Sequence, residues 1–213
     1  MTPEPRVVIV TPRRPDGGRR DELWAFCQRW WDERFDWPVI EGLHLDGPFN
    51  RGAAINAAAT AAGDWDVMVI VDGDVVAEPE QIAEAVERAH ETNRLTLAFK
   101  RYCALNQSMT AKVMDGFNGN WIAGAGLKMT AHVSSIIAVP RRLWDDVGGF
   151  DERIEGWGYD DTVFAHVCRT LGGGIERVPG DVWHLWHPVS DASKAFHAGN
   201  SASAFSVASG AVA

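Results

Sequence analysis

The chain of 213 residues has only three cysteines, Cys27, Cys103 and Cys168. An odd number at wide spacing fits neither a disulfide framework nor a zinc knuckle, and a reducing cytoplasm is the expected compartment. No apolar run approaches the length of a membrane span, and no signal-peptide h-region stands at the N-terminus. Positive charge is in short supply: 20 Lys and Arg against 29 Asp and Glu leave a formal net charge of −9. That balance disfavours broad electrostatic binding to nucleic acid or to an anionic membrane, although Arg13, Arg14, Arg19 and Arg20 form a local basic cluster. Gly124 and Gly126 lack the preceding strand and the third glycine of a dinucleotide fingerprint. There is no internal repeat.

What is present fits an ordinary globular domain. An apolar content of 46% with 23% charged residues is enough for one sizeable core. Ten tryptophans is a high number. Some belong to the core, and others suit a surface that stacks on a sugar or another flat ligand. From Ser190 the composition turns to Ser, Ala and Gly, with Phe196 and Phe205 the only large apolar side chains. The expectation is one domain over residues 1–188 and a poorly ordered tail over 189–213.

Strand and helix patterns alternate over the first hundred residues. Arg6 to Val10 reads as a short buried strand running into Thr11-Pro12-Arg13. Asp21 to about Arg34 reads as a helix with Leu23, Trp24, Phe26, Cys27, Trp30 and Trp31 on its apolar face. Val39 to Leu43 is a second strand, and Asn50 is placed to N-cap an alanine-rich helix ending at Gly63. Val67 to Val71 is a third strand, Pro79 opens a helix reaching His90, and Leu95 to Phe99 is a fourth strand. This order predicts an α/β domain, a mostly parallel sheet flanked by helices. Tyr102 to Thr130 reads as a long irregular loop over the site. Beyond it come a strand at Val133 to Val139, helices at Arg141 to Val147 and Asp160 to Leu171, and short strands at Ile175 to Val178 and Val182 to Trp186.

Five segments with chemical character fall at element ends. Asp72-Gly73-Asp74 closes the third strand, and open α/β sheets place their ligands at that edge. Paired carboxylates there suit a hard divalent cation, and the cation suits a diphosphate; Asp-Gly is also common turn chemistry. His184 and His187 stand near the end of the last strand. Imidazole favours Mn²⁺ over Mg²⁺, and on a strand residues 184 and 187 face opposite sides, so at most one is expected to reach a metal held by Asp74. Gly148-Gly149-Phe150-Asp151-Glu152 leads to Glu155-Gly-Trp157-Gly158-Tyr159-Asp160-Asp161. There one acid is expected to cap the helix, and the other is free to act as a general base. Asn50-Arg51-Gly52 with Asn56 forms a helix N-terminus suited to an anion or a base edge, or to simple capping. Thr11 and Arg13 end the first strand, where a nucleotide can lie.

In this order the segments resemble glycosyltransferases of the GT-A fold. Ser135 to Glu152, with its Gly-Gly-Phe-Asp, is similar to the corresponding stretch of family 2 enzymes and of polypeptide N-acetylgalactosaminyltransferases. Gly156-Trp157-Gly158-Tyr159-Asp160-Asp161 is similar to the Gly-Trp-Gly-Gly-Glu-Asp motif of β-1,4-galactosyltransferases. The resemblance covers roughly residues 6 to 188. It implies a metal-dependent enzyme that moves a sugar from a nucleoside diphosphate sugar to an acceptor hydroxyl, with inversion; retention is the alternative, since related folds with a similar Trp-Gly motif retain. The resemblance further implies Asp74 and His184 as ligands of Mn²⁺ or Mg²⁺, with His187 or Asp72 in reserve. Thr11, Arg13, Asn50, Arg51, Asn56 and Asp72 would bind the nucleotide sugar. Asp161 would be the base, and Trp157, Gly158 and Asp160 would meet the acceptor. Two departures stand out: Tyr159 replaces a family glycine and narrows the acceptor side, and the methionine ligand of galactosyltransferases has no obvious counterpart near His184.

Two other readings use the same residues. A sugar-phosphate nucleotidyltransferase would carry a glycine-rich basic loop after the first strand, and Gly17-Gly18-Arg19-Arg20 is a faint version of one. A carbohydrate-binding or assembly protein would keep the fold without turnover. The acceptor class stays open among a glycan, a protein, a small molecule and a modified base, the last mildly disfavoured by the acidic charge.

Overall fold

Val67–Val71 is the centre of the molecule, buried at every residue. A run of β-branched and sulfur-containing side chains with no polar member can sit only where both faces of a sheet are covered. The computed structural model describes residues 4–116, 128–130, 132–156 and 158–188. Within them the strands are β1 (Val7–Arg13), β2 (Val39–Leu43), β3 (Val67–Val71), β4 (Val75–Ala77), β5 (Leu95–Leu97), β6 (Arg101–Ala104), β7 (Lys128–Thr130), β8 (Ile136–Pro140), β9 (Ile175–Arg177) and β10 (Asp181–His184). The helices are α1 (Arg19–Asp32), α2 (Arg51–Ala61), α3 (Pro79–Thr92), α4 (Gln107–Asp115), α5 (Arg141–Val147) and α6 (Asp160–Leu171).

The main sheet has the order β2-β1-β3-β8-β5-β9. Strands β1, β2 and β3 run parallel, as do β5 and β9, but β8 is antiparallel to both of its neighbours. The α/β class expected from the alternating pattern therefore holds, with one reversed strand inside the sheet. A second sheet, β4-β10-β6-β7, was not anticipated. Its strands are three or four residues long, too short for a period to register. The stretch expected as one irregular loop from Tyr102 to Thr130 in fact contains β6, α4 and β7. Residues 117–127, Trp157 and the tail from 189 lie outside the described residues. No helix among the described residues is long and apolar enough to cross a membrane.

Local rules explain most element ends. Asn50 caps α2 by accepting the Ala53 N–H at 2.8 Å, and Pro79 opens α3. Trp24, Trp30, Trp31, Trp65 and Trp183 are all buried, so these five fill the core and offer no stacking surface. The three cysteines are unpaired and buried. Helix α2 lies so close to β2 that a Cβ on Gly42 would fall 2.2 Å from the Ala54 carbonyl oxygen. Backbone cannot yield there as a side chain can, so Gly42→Ala is expected to lower unfolding free energy by about 2 kcal/mol, read from urea denaturation at unchanged m-value.

Candidate active site

The short pairing of β4 with β10 builds the first half of the site. Val75 stands opposite His184 in the antiparallel register. Asp74, one residue earlier, accepts the Leu185 N–H on its carbonyl at 2.8 Å. β10 ends at His184, and the Trp186 N–H turns away to the Thr110 hydroxyl at 2.7 Å. Beyond His184 the two-residue alternation of a strand therefore no longer applies. His184 Nε2 lies 3.6 Å from one Asp74 oxygen, and His187 Nε2 lies 3.2 Å from the other. The expectation that only one imidazole would reach Asp74 is corrected: both do, because the chain leaves the pleat between them.

One ligand atom from each of Asp74, His184 and His187 lies within 4.8 Å of the others. Burial works against a charge on Asp74, but His184 and His187 outweigh it and hold the carboxyl at about 2. The contact with Asp74 in turn raises the His187 imidazole above its ordinary value, against burial. A guanidinium nitrogen of Arg20 lies 3.5 Å from His187 Nδ1, bringing one member of the basic cluster to the edge of this group. One carboxylate and two imidazoles suit Mn²⁺ and its transition-metal neighbours better than Mg²⁺.

The second half is organised by Arg51, the first residue of α2. Its guanidinium donates to Asp72 Oδ1 at 2.8 Å and to Asp160 Oδ2 at 2.9 Å. The Asp72 N–H donates to the Ser135 carbonyl at 2.9 Å, which fixes the strand end from the β8 side. Burial alone would depress the Arg51 cation, but Asp72, Asp160 and Asp161 surround it and raise it. Asp160 is only 7% exposed. Burial holds its carboxyl above the usual range even though Arg51 pulls it down. Asp161 is less buried; its Oδ1 accepts the Thr162 N–H at 2.6 Å and the Thr162 hydroxyl at 3.2 Å.

Several expected nucleotide contacts are turned to structural work. Asn50 caps α2 with its oxygen and donates to the Glu152 carbonyl at 2.6 Å. Asn56 accepts the Phe150 N–H at 2.9 Å and donates to the Phe150 carbonyl at 3.0 Å and to Glu152 Oε1 at 2.8 Å. It clamps the Gly-Gly-Phe-Asp-Glu turn, and a Cβ on Gly149 would meet its oxygen at 2.7 Å, so that glycine makes room for Asn56. Arg13 pairs with Asp21 and, at 2.7 Å, with Glu41. Thr11 is fully buried, and its hydroxyl is unpartnered among the described residues. The expectation that one of the two acids caps α6 is also corrected. The cap position is Tyr159, at φ 72°, and both acids lie in the first turn, where the helix dipole favours them. Gly158, at φ 102°, precedes it. Trp157 lies outside the described residues.

Two residues at the site carried no sequence signal. His132 stacks on Tyr102 with ring centroids 3.9 Å apart, and Tyr102 neighbours His184 at 5.7 Å. An isolated Tyr at the start of a stretch read as loop, and an isolated His just beyond its end, have no period or spacing to mark them. The glycine-rich basic loop is likewise clarified. The Gly17 N–H donates to Asp21 and the Gly18 N–H to Asp16, each at 2.8 Å, while Arg19 pairs with Glu22. Its amides already face carboxylates, which leaves little to cradle a triphosphate.

The architecture is the GT-A fold of glycosyltransferases. Residues 124–189 match a family described as the N-terminal domain of galactosyltransferase. A Drosophila β1,4-galactosyltransferase 7 mutant, solved with manganese, UDP-Gal and xylobiose, aligns at TM-score 0.57 and 16% identity over 89% of this chain and 78% of that one. Glucosyl-3-phosphoglycerate synthase from Mycobacterium tuberculosis, solved with Mn²⁺, UDP and glucosyl-3-phosphoglycerate, aligns at 0.57 and 13% identity over 95% of this chain and 78% of that one. TarS 1-349 from S. aureus, solved with UDP-GlcNAc, aligns at 0.58 and 13% identity over 88% of this chain and 60% of that one. No curated protein sequence matches the chain.

Removing the Arg51 cation would leave two carboxylates facing each other, one of them buried. Arg51→Met is expected to cost about 3–5 kcal/mol at neutral pH. Asp160 titrates above its unfolded value, so its stabilising contribution is present below the ordinary carboxylate pKa and is lost as pH rises through the folded value. The deficit of the variant should therefore shrink on acidification, as measured by denaturant unfolding across the acidic range.

Proposed function

We propose that this protein is a metal-dependent glycosyltransferase that moves a sugar from a nucleoside diphosphate sugar to an acceptor hydroxyl. One observation carries the reading: at one sheet edge of a GT-A fold, a carboxylate–imidazole cluster suited to a cation lies beside a pair of acids, with Arg51 joining Asp72 to Asp160. Asp74, His184 and His187 would hold the cation, which supplies charge neutralisation for the diphosphate. The neighbours solved with manganese and UDP or UDP-Gal support that assignment by their fold.

Asp161 is the proposed general base. Among the described residues, only its Oδ1 is engaged, by Thr162. The acceptor oxygen forms its bond to the anomeric carbon as the bond from that carbon to the diphosphate oxygen breaks. The electron pair leaves with the diphosphate, and the hydroxyl proton passes to Asp161. This single displacement inverts the anomeric centre. Asp160, buried on Arg51, serves to place Asp161 and the strand end rather than to exchange protons. Trp157 and Gly158 are proposed to meet the acceptor. Arg51 would act through Asp72 and not on the nucleotide directly. Arg13 remains proposed to lie beneath the nucleotide, whereas Thr11, fully buried, is not proposed as a direct contact.

The test follows diphosphate release from UDP-galactose, UDP-glucose, UDP-GlcNAc and GDP-mannose with Mn²⁺. Asp161→Asn is expected to lower turnover by about 10²–10⁴-fold while leaving nucleoside diphosphate binding intact. Asp74→Ala is expected to abolish the Mn²⁺-dependent rise in melting temperature given by the diphosphate. Full turnover by the Asp161 variant would remove the base assignment, and turnover that survives EDTA would remove the metal.

A further inference from the structure

His132 is neither a member of the Asp74 cluster nor of the Arg51 group, yet it stacks on Tyr102, a neighbour of His184. Its ring lies against Tyr102, with centroids 3.9 Å apart and planes 30° apart. Its carbonyl accepts from the Arg177 guanidinium at 2.5 Å. The chain then passes through Ser135, held at φ 79°, whose carbonyl takes the Asp72 N–H. Backbone and ring are thus fixed from three directions. Of the charged and titratable groups that bear on the imidazole, Asp161, Asp72 and His184 belong to the two clusters and Arg177 to β9. Among the described residues, neither ring nitrogen has a hydrogen-bond partner.

We propose that His132 hydrogen-bonds the sugar being transferred, and so helps select which nucleotide sugar is used; this rests on the glycosyltransferase reading above. The diphosphate belongs at Asp74, His184 and His187, and the acceptor hydroxyl belongs at Asp161. The sugar joins those two points, and His132 lies beside both: its ring stacks on Tyr102, a neighbour of His184, and Ser135, three residues on, holds the Asp72 amide. Tyr102 covers one face of the imidazole, and stacking engages that face rather than the two ring nitrogens. Burial favours the neutral ring, which offers one donor and one acceptor. Sugar hydroxyls both donate and accept, so the pairing is complementary. A diphosphate, which only accepts, would use half of it.

Binding of UDP and of UDP-galactose, and in parallel of GDP and GDP-mannose, is measured by calorimetry with Mn²⁺ for the wild-type chain, His132→Ala and His132→Gln. The wild type is expected to bind one sugar nucleotide more tightly than its diphosphate. His132→Ala should lose about tenfold of that sugar-dependent gain with diphosphate affinity unchanged. His132→Gln keeps a donor and an acceptor and should recover part of the gain. A variant that keeps the whole gain, or that loses diphosphate and sugar nucleotide affinity in equal measure, overturns the proposal while the enzyme reading stands. A wild-type chain that binds the diphosphate and its sugar nucleotide equally also overturns it. If the wild type binds none of the four nucleotides, the glycosyltransferase reading itself fails, and the role of His132 falls with it.

Discussion

A guanidinium held between two carboxylates joins the parts of this molecule. Arg51 opens α2, Asp72 ends β3 and Asp160 begins α6, and the three meet at 2.8 and 2.9 Å with little exposure. Taking such charges out of water costs nearly as much as their attraction returns, so the group adds little net stability over an apolar equivalent. What it adds is position. An apolar contact tolerates sliding, whereas two charge-assisted hydrogen bonds to one planar fork define direction as well as distance. Asp74 and Asp161 lie one or two residues beyond these anchors, so the spacing between the candidate cation site and the candidate base is set largely here.

The second anchor is the short sheet. β4 is only three residues long, yet its pairing with β10 places Asp74 beside the segment that carries both histidines. β3 and β4 are separated by Asp72-Gly73-Asp74 alone, so the chain passes directly from the middle of one sheet to the edge of the other. The turn and the metal-site readings of that tripeptide are therefore compatible: it turns, and by turning it sends Asp72 to Arg51 and Asp74 to the imidazoles.

The sequence was most legible where a period could accumulate. β2, β3, α5 and α6 fall at their expected residues, because five or more residues of β-branched or amphipathic pattern leave a clear signal. β4, β6 and β7 left none at three or four residues, and with them the second sheet was missed. Within the site, residue type and order pointed to Asp72, Asp74, Asp161 and the histidines. Type alone could not separate Asn50 and Asn56, which hold the loop at Phe150 to Glu152, from side chains free to meet a ligand; an amide looks the same in sequence whether its partners are backbone or substrate. The pairing of His184 with His187 was misjudged for a related reason. Face alternation is a property of a strand, and where the strand stops was not readable to within a residue.

Two non-glycine residues in the left-handed region flank the site, Ser135 at φ 79° and Tyr159 at φ 72°. Each conformation costs about 1 kcal/mol or more and persists only where the surroundings over-determine it. Both have local explanations. Ser135 turns its carbonyl to the Asp72 amide at the end of β3, and Tyr159 packs against Ile154 and Val163 in a small apolar cluster of its own. At position 159 the resembling galactosyltransferase motif has glycine, which adopts this φ without strain. A tyrosine holds this backbone at higher cost than a glycine would and offsets it with contacts a glycine lacks. Tyr159 thus packs at the N-terminus of α6 while the two acids that follow it keep their places in the first turn.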